Sequence, residues 1–327
     1  MEIKNKIITG DCRQVLKEFP EAVVNTTVTS PPYYNLRDYG TGSWSGGDEN
    51  CDHQVGRFEY DVSSKQKSNS ASAGHQAKSK CPKCGAMRED NQIGLEDSID
   101  DYIEQLCLVF DEVYRVTVQD GTLWLNIGDC YAAGGEINSD GRRGFSGAET
   151  MGYRSKAVGG LTSKDLIGVP WRLSFALQKR QWILRSDIIW SKYNPMPESV
   201  TDRPTMSHEH IFLFAKNKKY YYDHESIMER TDDIKYPKRN KRDVWQTRVA
   251  SYPEAHFATF PMELITPCIK AGSPEGGLVL DPFMGSGTVA ETAKRLSRNY
   301  TGCELNPEYH KIINNRLKQE ELFHARI

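Results

Sequence analysis

The run Gly277-Leu278-Val279-Leu280 reads as the end of a buried strand, and the residues after it constrain the whole chain. A turn, Asp281-Pro282-Phe283-Met284-Gly285-Ser286-Gly287, leads into helical apolar spacing from Thr288 to Leu296, and a second strand-like run spans Tyr300 to Cys303. One more helical stretch, Pro307 to Glu321, comes next, so no second strand–helix–strand half succeeds this one. Two strands cannot bury both faces by themselves. The sheet must be completed from the N-terminal side.

The earlier sequence can supply the missing strands. Runs rich in β-branched and aromatic residues recur at Ile3 to Thr9, Val23 to Thr29, Thr122 to Ile127, Arg185 to Ser191 and His210 to Ala215. Helical spacing recurs between them at Cys12 to Phe19, Asp97 to Val116, Pro170 to Lys179 and Met262 to Lys270. Seven strands alternating with helices predict a Rossmann-like α/β fold, a mostly parallel sheet covered on both faces.

Three segments break the alternation. Residues 40–94 hold a Gly/Ser/Trp stretch and then Ser63 to Lys80, a polar tract with too little apolar surface to offset its ordering entropy. Residues 131–164 are rich in Gly, Ser and Arg and read as a long loop. Residues 229–248 read as a charged irregular stretch, basic at Lys235, Lys238, Arg239, Lys241 and Arg242. The expected organisation is a catalytic domain of 1–39 and 95–327, its cofactor half at 250–327, interrupted by an insertion at 40–94.

Inside that insertion, Cys51-Asp52-His53 and Cys81-Pro82-Lys83-Cys84-Gly85 form two ligand pairs, the second a Cys-x-x-Cys knuckle. Three thiols and an imidazole suit tetrahedral Zn²⁺, and a metal would close a loop with little core of its own. Cys51, His53, Cys81 and Cys84 are the expected structural zinc ligands, with His75 a weaker candidate for the fourth place. The chain has eight cysteines and no apolar leader segment, which favours thiols or metal ligands over a disulfide framework. No run approaches the roughly 20 apolar residues that span a bilayer, so a soluble cytoplasmic protein is expected. With a net charge of −2, any attraction to nucleic acid must come from local basic patches.

Two short motifs carry chemistry. Gly285 and Gly287 give the C-terminal turn backbone freedom and let a ligand approach the main chain, while Glu304, ending the next strand, can accept hydrogen bonds from both hydroxyls of a ribose. Gly285-x-Gly287-x-x-Ala290 also fits a dinucleotide fingerprint formally, but Asp281 before the turn and the late position of the pair argue against that reading. A P-loop lacks its Gly-Lys-Ser/Thr. At the other end of the chain, Thr29-Ser30-Pro31-Pro32-Tyr33 follows a strand. Ser30 Oγ and the Pro31 carbonyl are neighbouring hydrogen-bond acceptors there, although alone the tetrapeptide could equally be a proline-stiffened turn. Pro31 and Pro32 keep the backbone extended, and Tyr33 offers a ring face on which a planar group can stack.

Together these strings resemble the two halves of an amino-group DNA methyltransferase, in the permuted order of the β class, catalytic motif first and cofactor motif last. The resemblance implies that Asp281, Pro282, Phe283, Gly285, Ser286, Gly287, Thr288, Glu304 and Asn306 hold S-adenosylmethionine. It adds Asp11 and Cys12 near the adenine, and Phe257, Thr259 and Pro261 over the methionine end. Later family motifs are matched by Gly121 to Asp129, Asn194 to Ser199 and His208 to His210. The resemblance makes Ser30, Pro31, Pro32 and Tyr33 the catalytic residues. Ser30 Oγ and the Pro31 carbonyl would each accept one N–H of an exocyclic amino group, aiming its delocalised lone pair at the methyl donor, and Tyr33 would stack on an extruded base. Ser at the first place of that tetrapeptide is more typical of cytosine-N4 enzymes, and Asp of adenine-N6 enzymes; cytosine N4 is therefore the expected target and adenine N6 the alternative.

The implied substrate is double-stranded DNA; 40–94, 131–164 and 229–248, long, polar and attached near the strand ends, are the candidate DNA-contacting segments. A cognate restriction endonuclease is a candidate partner, with a solitary enzyme the alternative. Members of this class often form homodimers. Two other readings stay open at this level. One is an inactive zinc-containing DNA-binding protein, which methyl incorporation from labelled cofactor would distinguish; the other is a methyltransferase acting on RNA or a protein amide, which substrate comparison would distinguish.

Overall fold

In the computed structural model, residues 2–34, 41–53, 80–90, 92–132, 160–251 and 258–324 are described. Phe257, His75 and the greater part of the expected segments 40–94 and 131–164 lie outside them. In chain order the N-terminal elements are β1 (Lys6–Thr9), α1 (Cys12–Val15), β2 (Val24–Thr29), β3 (Ser43–Ser45), β4 (Met87–Glu89), α2 (Ile99–Val116) and β5 (Thr117–Ile127). The middle holds α3 (Val169–Lys179), β6 (Ile183–Lys192), β7 (His208–Ala215), β8 (Glu229–Arg230), β9 (Lys238–Arg239), β10 (Val244–Thr247), β11 (Ala250–Ser251) and β12 (Ala258–Thr259). The chain continues through α4 (Met262–Gly272), β13 (Leu278–Asp281), α5 (Thr288–Arg295), β14 (Asn299–Glu304) and α6 (Tyr309–His324).

Two compact units emerge: Met1–Pro31 with Gln105–Asp129 and Gly168–Ile327, and Pro32–Glu104 with Cys130–Ile167. The first contains an eight-stranded sheet in the order β1-β14-β13-β2-β5-β7-β6-β10. All seven expected strands belong to it. The N-terminal strands stand beside the C-terminal ones, β1 pairing parallel with β14 and β2 parallel with β13. Only β7 runs antiparallel to its neighbours.

The period-two pattern of β7 shows how both faces are covered. Ile211 and Leu213 join a buried cluster with Trp124, Trp245 and the α4 residues Leu264, Ile265 and Ile269. Phe212 and Phe214 point the other way and meet Trp171 on α3 and Trp182 just beyond it, with ring centroids 5.2 Å and 6.3 Å apart. Alternate side chains of one strand therefore feed two cores, as a sheet buried on both faces requires.

The eighth strand corrects the reading of 229–248 as irregular. Glu229–Arg230 and Lys238–Arg239 form a two-stranded ribbon, and Val244–Thr247 adds to the sheet parallel to β6. Trp245 is buried in the core, and its indole N–H donates to the Arg242 carbonyl at 2.6 Å. The alternation Val-Trp-Gln-Thr is a strand signal only four residues long, and the charges before it mask it.

The second unit has a different kind of interior. β3 and β4 pair antiparallel through Trp44 and Arg88. Beneath them Arg88 and Asp90 form a buried ion pair at 2.9 Å, and Thr41 Oγ1 donates to Asp90 at 3.0 Å. Strands of three residues do not stabilise themselves. Around this hairpin a polar network and a cluster of cysteine and histidine side chains add to the buried apolar residues of the unit, Tyr34, Ile93, Leu95, Ile99 and Tyr102 among them.

Candidate active site

Parallel strands end side by side along one edge of the sheet, and their order decides what the two motifs can do. β1 runs out into Gly10 and Asp11, with Thr9 in register with Glu304 at the end of β14. Next, Asp281 ends β13 opposite Gly302, and Leu280 pairs with Thr27 of β2. β2 ends at Thr29, so Ser30 and Pro31 leave the sheet directly beside the Asp281 turn. Motifs at opposite ends of the sequence are thus neighbours: Thr29 Oγ1 donates to Asp281 Oδ1 at 2.6 Å.

Asp281 is almost fully buried. Its Oδ1 also accepts the Phe283 N–H at 3.0 Å. Burial pushes its carboxyl up to about 7; the charge of Glu304 adds to the rise, and the Thr29 and Phe283 hydrogen bonds oppose it. Glu304 behaves alike. Burial raises it to about 7 although the N–H groups of Asn306, at 2.8 Å, and Gly285, at 2.7 Å, donate to its two oxygens. Two desolvated acids at adjoining strand ends form a site that favours a cationic, hydrogen-bond-donating ligand.

The turn between them depends on glycine at defined places. Gly285 and Gly287 have φ of 52° and 83°, in the left-handed region. A Cβ on Gly287 would also stand 3.0 Å from Ile313 of α6. Gly302 was not among the expected site residues, yet a Cβ there would collide with the Asp281 carbonyl and the Met284 side chain. The side chains of Ser286 and Thr288 turn inward: both hydroxyls accept from Arg316 of α6, at 2.9 Å and 3.2 Å. Pro282 is buried and Phe283 partly so.

The remaining expected residues fall in several places. Asp11 caps α1 through the Arg13 N–H at 2.9 Å and forms an ion pair with the Arg13 guanidinium at 2.5 Å. Cys12 is buried, and burial pushes its thiol up to about 12, so it packs as a small neutral side chain. Thr259 lies in β12, and the buried Pro261 is the N-cap residue of α4. Asn306 follows Glu304 and caps the next turn, its Oδ1 accepting the Glu308 N–H at 3.0 Å.

Pro32 and Tyr33 begin the second unit. Tyr102 donates its hydroxyl to the Pro32 carbonyl at 2.8 Å, and Gly94, with φ of 102°, passes so close to the Tyr33 carbonyl that a Cβ would stand 2.9 Å from it. Farther along that unit, the ligand atoms of Cys51, His53, Cys81 and Cys84 all lie within 4.8 Å of one another. Two thiolates about 2.3 Å from one tetrahedral ion stand about 3.8 Å apart. Cys51 and Cys81 sulfurs are separated by 3.8 Å, Cys84 Sγ is 3.3 Å from His53 Nδ1, and Trp44 stacks on the His53 ring.

Comparison with known proteins gives the site its family. The model of a DNA methylase family, the N6/N4 methyltransferases, matches residues 24–315, which takes in both motifs. The chain belongs to this DNA methylase family. The methylase is 44% identical over 312 residues to the Type II methyltransferase M.SmaI of Serratia marcescens, covering 95% of this chain and 90% of the relative. It is 42% identical over 321 residues to M.Cfr9I of Citrobacter freundii, covering 96% and 88%. Among solved structures, the cytosine-N4-specific PvuII DNA methyltransferase shares the fold with a TM-score of 0.59 at 15% identity, over 96% of this chain and 89% of that one. M1.HpyAVI in complex with S-adenosylmethionine aligns with a TM-score of 0.53 at 16% identity, over 95% and 98%. Among the described residues of the methylase, no helix is long and apolar enough to cross a membrane.

Proposed function

We propose that the methylase transfers a methyl group from S-adenosylmethionine to the exocyclic N4 of a cytosine flipped out of duplex DNA, at a fixed recognition site. The hydrogen bond from Thr29 to Asp281 carries this reading, because it sets the Ser30–Pro31 acceptors against the acid of the Gly turn. S-adenosylmethionine, when bound, supplies an electrophilic methyl on a sulfonium. Its ammonium and ribose hydroxyls suit the two buried acids: Glu304 would accept the ribose hydroxyls and Asp281 would face the cationic methionine end, with the turn 282–288 approached through its backbone. Asp11 would close the adenine side, and the segment of Phe257, Thr259 and Pro261 would cover the methionine end.

Ser30 Oγ and the Pro31 carbonyl would accept hydrogen bonds from the two amino N–H groups of the target base. That makes the nitrogen lone pair available in line, with no covalent enzyme intermediate. The base loses one of these protons to solvent once the methyl group has left the sulfonium. Tyr33 would stack on the extruded base, offsetting an unstacking cost of a few kcal/mol. The choice of cytosine rests on Ser30 at the head of the tetrapeptide. The relatives named Type II methyltransferases support modification of a defined DNA sequence alongside a cognate endonuclease. Cys51, His53, Cys81 and Cys84 would hold one structural Zn²⁺; methyl transfer from a sulfonium needs no metal-bound water.

Long-read sequencing of DNA from cells expressing the methylase tests this reading in one measurement. N4-methylcytosine at one recurring motif is the expected result. N6-methyladenine would replace the base assignment, and unmodified DNA despite methyl incorporation into RNA or protein would overturn the DNA reading.

The 229–248 segment, proposed to face DNA, is less basic than its residue count implies. Glu229 holds Arg239 at 3.2 Å, Arg242 at 3.1 Å and Lys241 at 3.9 Å, so one carboxylate offsets part of the cluster. Exchanging Lys238, Arg239, Lys241 and Arg242 for glutamate should weaken DNA binding and flatten the slope of log affinity against log salt by roughly two to three. An unchanged slope in a fluorescence-anisotropy salt series would remove the segment from the interface.

A further inference from the structure

One buried charged group is accounted for neither by the sheet nor by the proposed chemistry. Arg316, on the final helix and 8% exposed, reaches under the Gly turn instead of toward solvent. Its Nη1 donates to the Ser286 carbonyl at 3.1 Å, Ser286 Oγ at 2.9 Å and Thr288 Oγ1 at 3.2 Å. Its charge is matched by Glu291 of α5, also buried, with Nε and Nη2 at 2.7 Å and 2.6 Å from the same carboxylate oxygen. Three of these five contacts fall on the two residues flanking Gly287.

We infer that Arg316 is a positioning residue for the cofactor turn and sets the affinity of the methylase for S-adenosylmethionine. The inference rests on the proposed cofactor site and deepens it. With both hydroxyls turned inward, Ser286 and Thr288 present only main chain to a ligand. Recognition through main chain depends on the turn keeping one conformation. Glycines at 285 and 287 allow that conformation without enforcing it, and other N–H groups of the turn are already spent: Met284 on the Cys303 carbonyl at 2.9 Å and Gly287 on the Met284 carbonyl at 2.9 Å. The forked guanidinium fixes the remaining freedom by joining two sides: Nε and Nη2 lock it on Glu291 while the two protons of Nη1 are shared among one carbonyl and two hydroxyls of the turn. A lysine ammonium is a point donor on a flexible stem and cannot reproduce that fork. Anchoring only the helix would not need this geometry, since Ile313 and Leu317 already pack α6 against Met284 and Ala290.

Titration calorimetry with S-adenosylmethionine, paired with initial rates on unmethylated duplex DNA, tests the inference on the full chain. Arg316→Lys should weaken cofactor affinity at least tenfold and raise the cofactor KM to match, with kcat at saturating cofactor within about threefold of wild type. Because a lone buried Glu291 could unfold the chain, the double variant Glu291→Met/Arg316→Met removes both charges and should fold. It should show the same loss of cofactor affinity as Arg316→Lys. Wild-type affinity in either folded variant, or a fall in kcat with KM unchanged, overturns the positioning role. Failure of the wild-type enzyme to bind S-adenosylmethionine would instead overturn the cofactor site itself.

Discussion

Replacing Ser30 by alanine is expected to lower kcat by about 10²- to 10³-fold, the usual loss when one preorganised polar partner of the reacting group is removed. Cofactor affinity should stay within about twofold of wild type. The separation follows from the strand order. Ser30 leaves β2, whereas the Gly turn, Glu304 and Asp281 belong to β13 and β14 and keep their contacts without the Ser30 hydroxyl. Asp281→Asn should show the converse. The amide still accepts from Thr29 and Phe283 through its oxygen, so the Ser30 backbone stays in place, but a neutral group faces the cationic end of the cofactor. Affinity for S-adenosylmethionine should fall roughly 10- to 100-fold, with kcat at saturation nearly retained. Single-turnover rates and equilibrium titration on the two proteins measure both effects. Loss of cofactor binding in Ser30→Ala, with full turnover in Asp281→Asn, would mean that the roles are exchanged.

Much of this arrangement is legible in the chain because each local signal agrees with its neighbour. The apolar run 278–280, the acid after it and the glycines beyond predict a strand–turn–helix with little ambiguity, and a two-stranded unit needs further strands to bury its faces. The sheet order supplies them. Where the sequence says less, the cause is physical. β10 is hidden because only Trp245 and Thr247 of its four residues are buried, and the flanking charges dominate any window longer than the strand. Gly302 looks like one more strand residue; its necessity comes from Asp281 passing against it across the sheet. Arg316 carries no local signal at all. A helical arginine near a chain end reads as solvated, and only the packing of α6 under the turn brings it to Ser286. Asp11 is ambiguous for another reason: a helix cap and a ligand contact are written with the same Gly-Asp, and the cap that the geometry displays is compatible with either.

Removing metal should have the second largest effect, and an unusual one. Metal analysis of the purified methylase is expected to give one zinc per chain, and Cys81→Ser/Cys84→Ser, or prolonged chelation, to abolish it. Structural zinc contributes on the order of 10 kcal/mol of binding free energy that the folded apo chain lacks. β3 and β4 have three residues each, so without metal the hairpin depends on the Arg88–Asp90 pair and the Trp44–His53 stack. Amide exchange across 41–53 and 80–90 should therefore rise steeply. The same unit carries Pro32 and Tyr33, held through Tyr102 and the close approach of Gly94. Turnover on duplex DNA should fall at least tenfold on metal loss, while S-adenosylmethionine, proposed to bind residues of the first unit, should keep its affinity. A metal-free enzyme with wild-type exchange and turnover would show that the four ligands close no functional staple. A drop in cofactor affinity equal to the drop in turnover would mean that the metal supports the whole fold instead of the segment leading from Pro32.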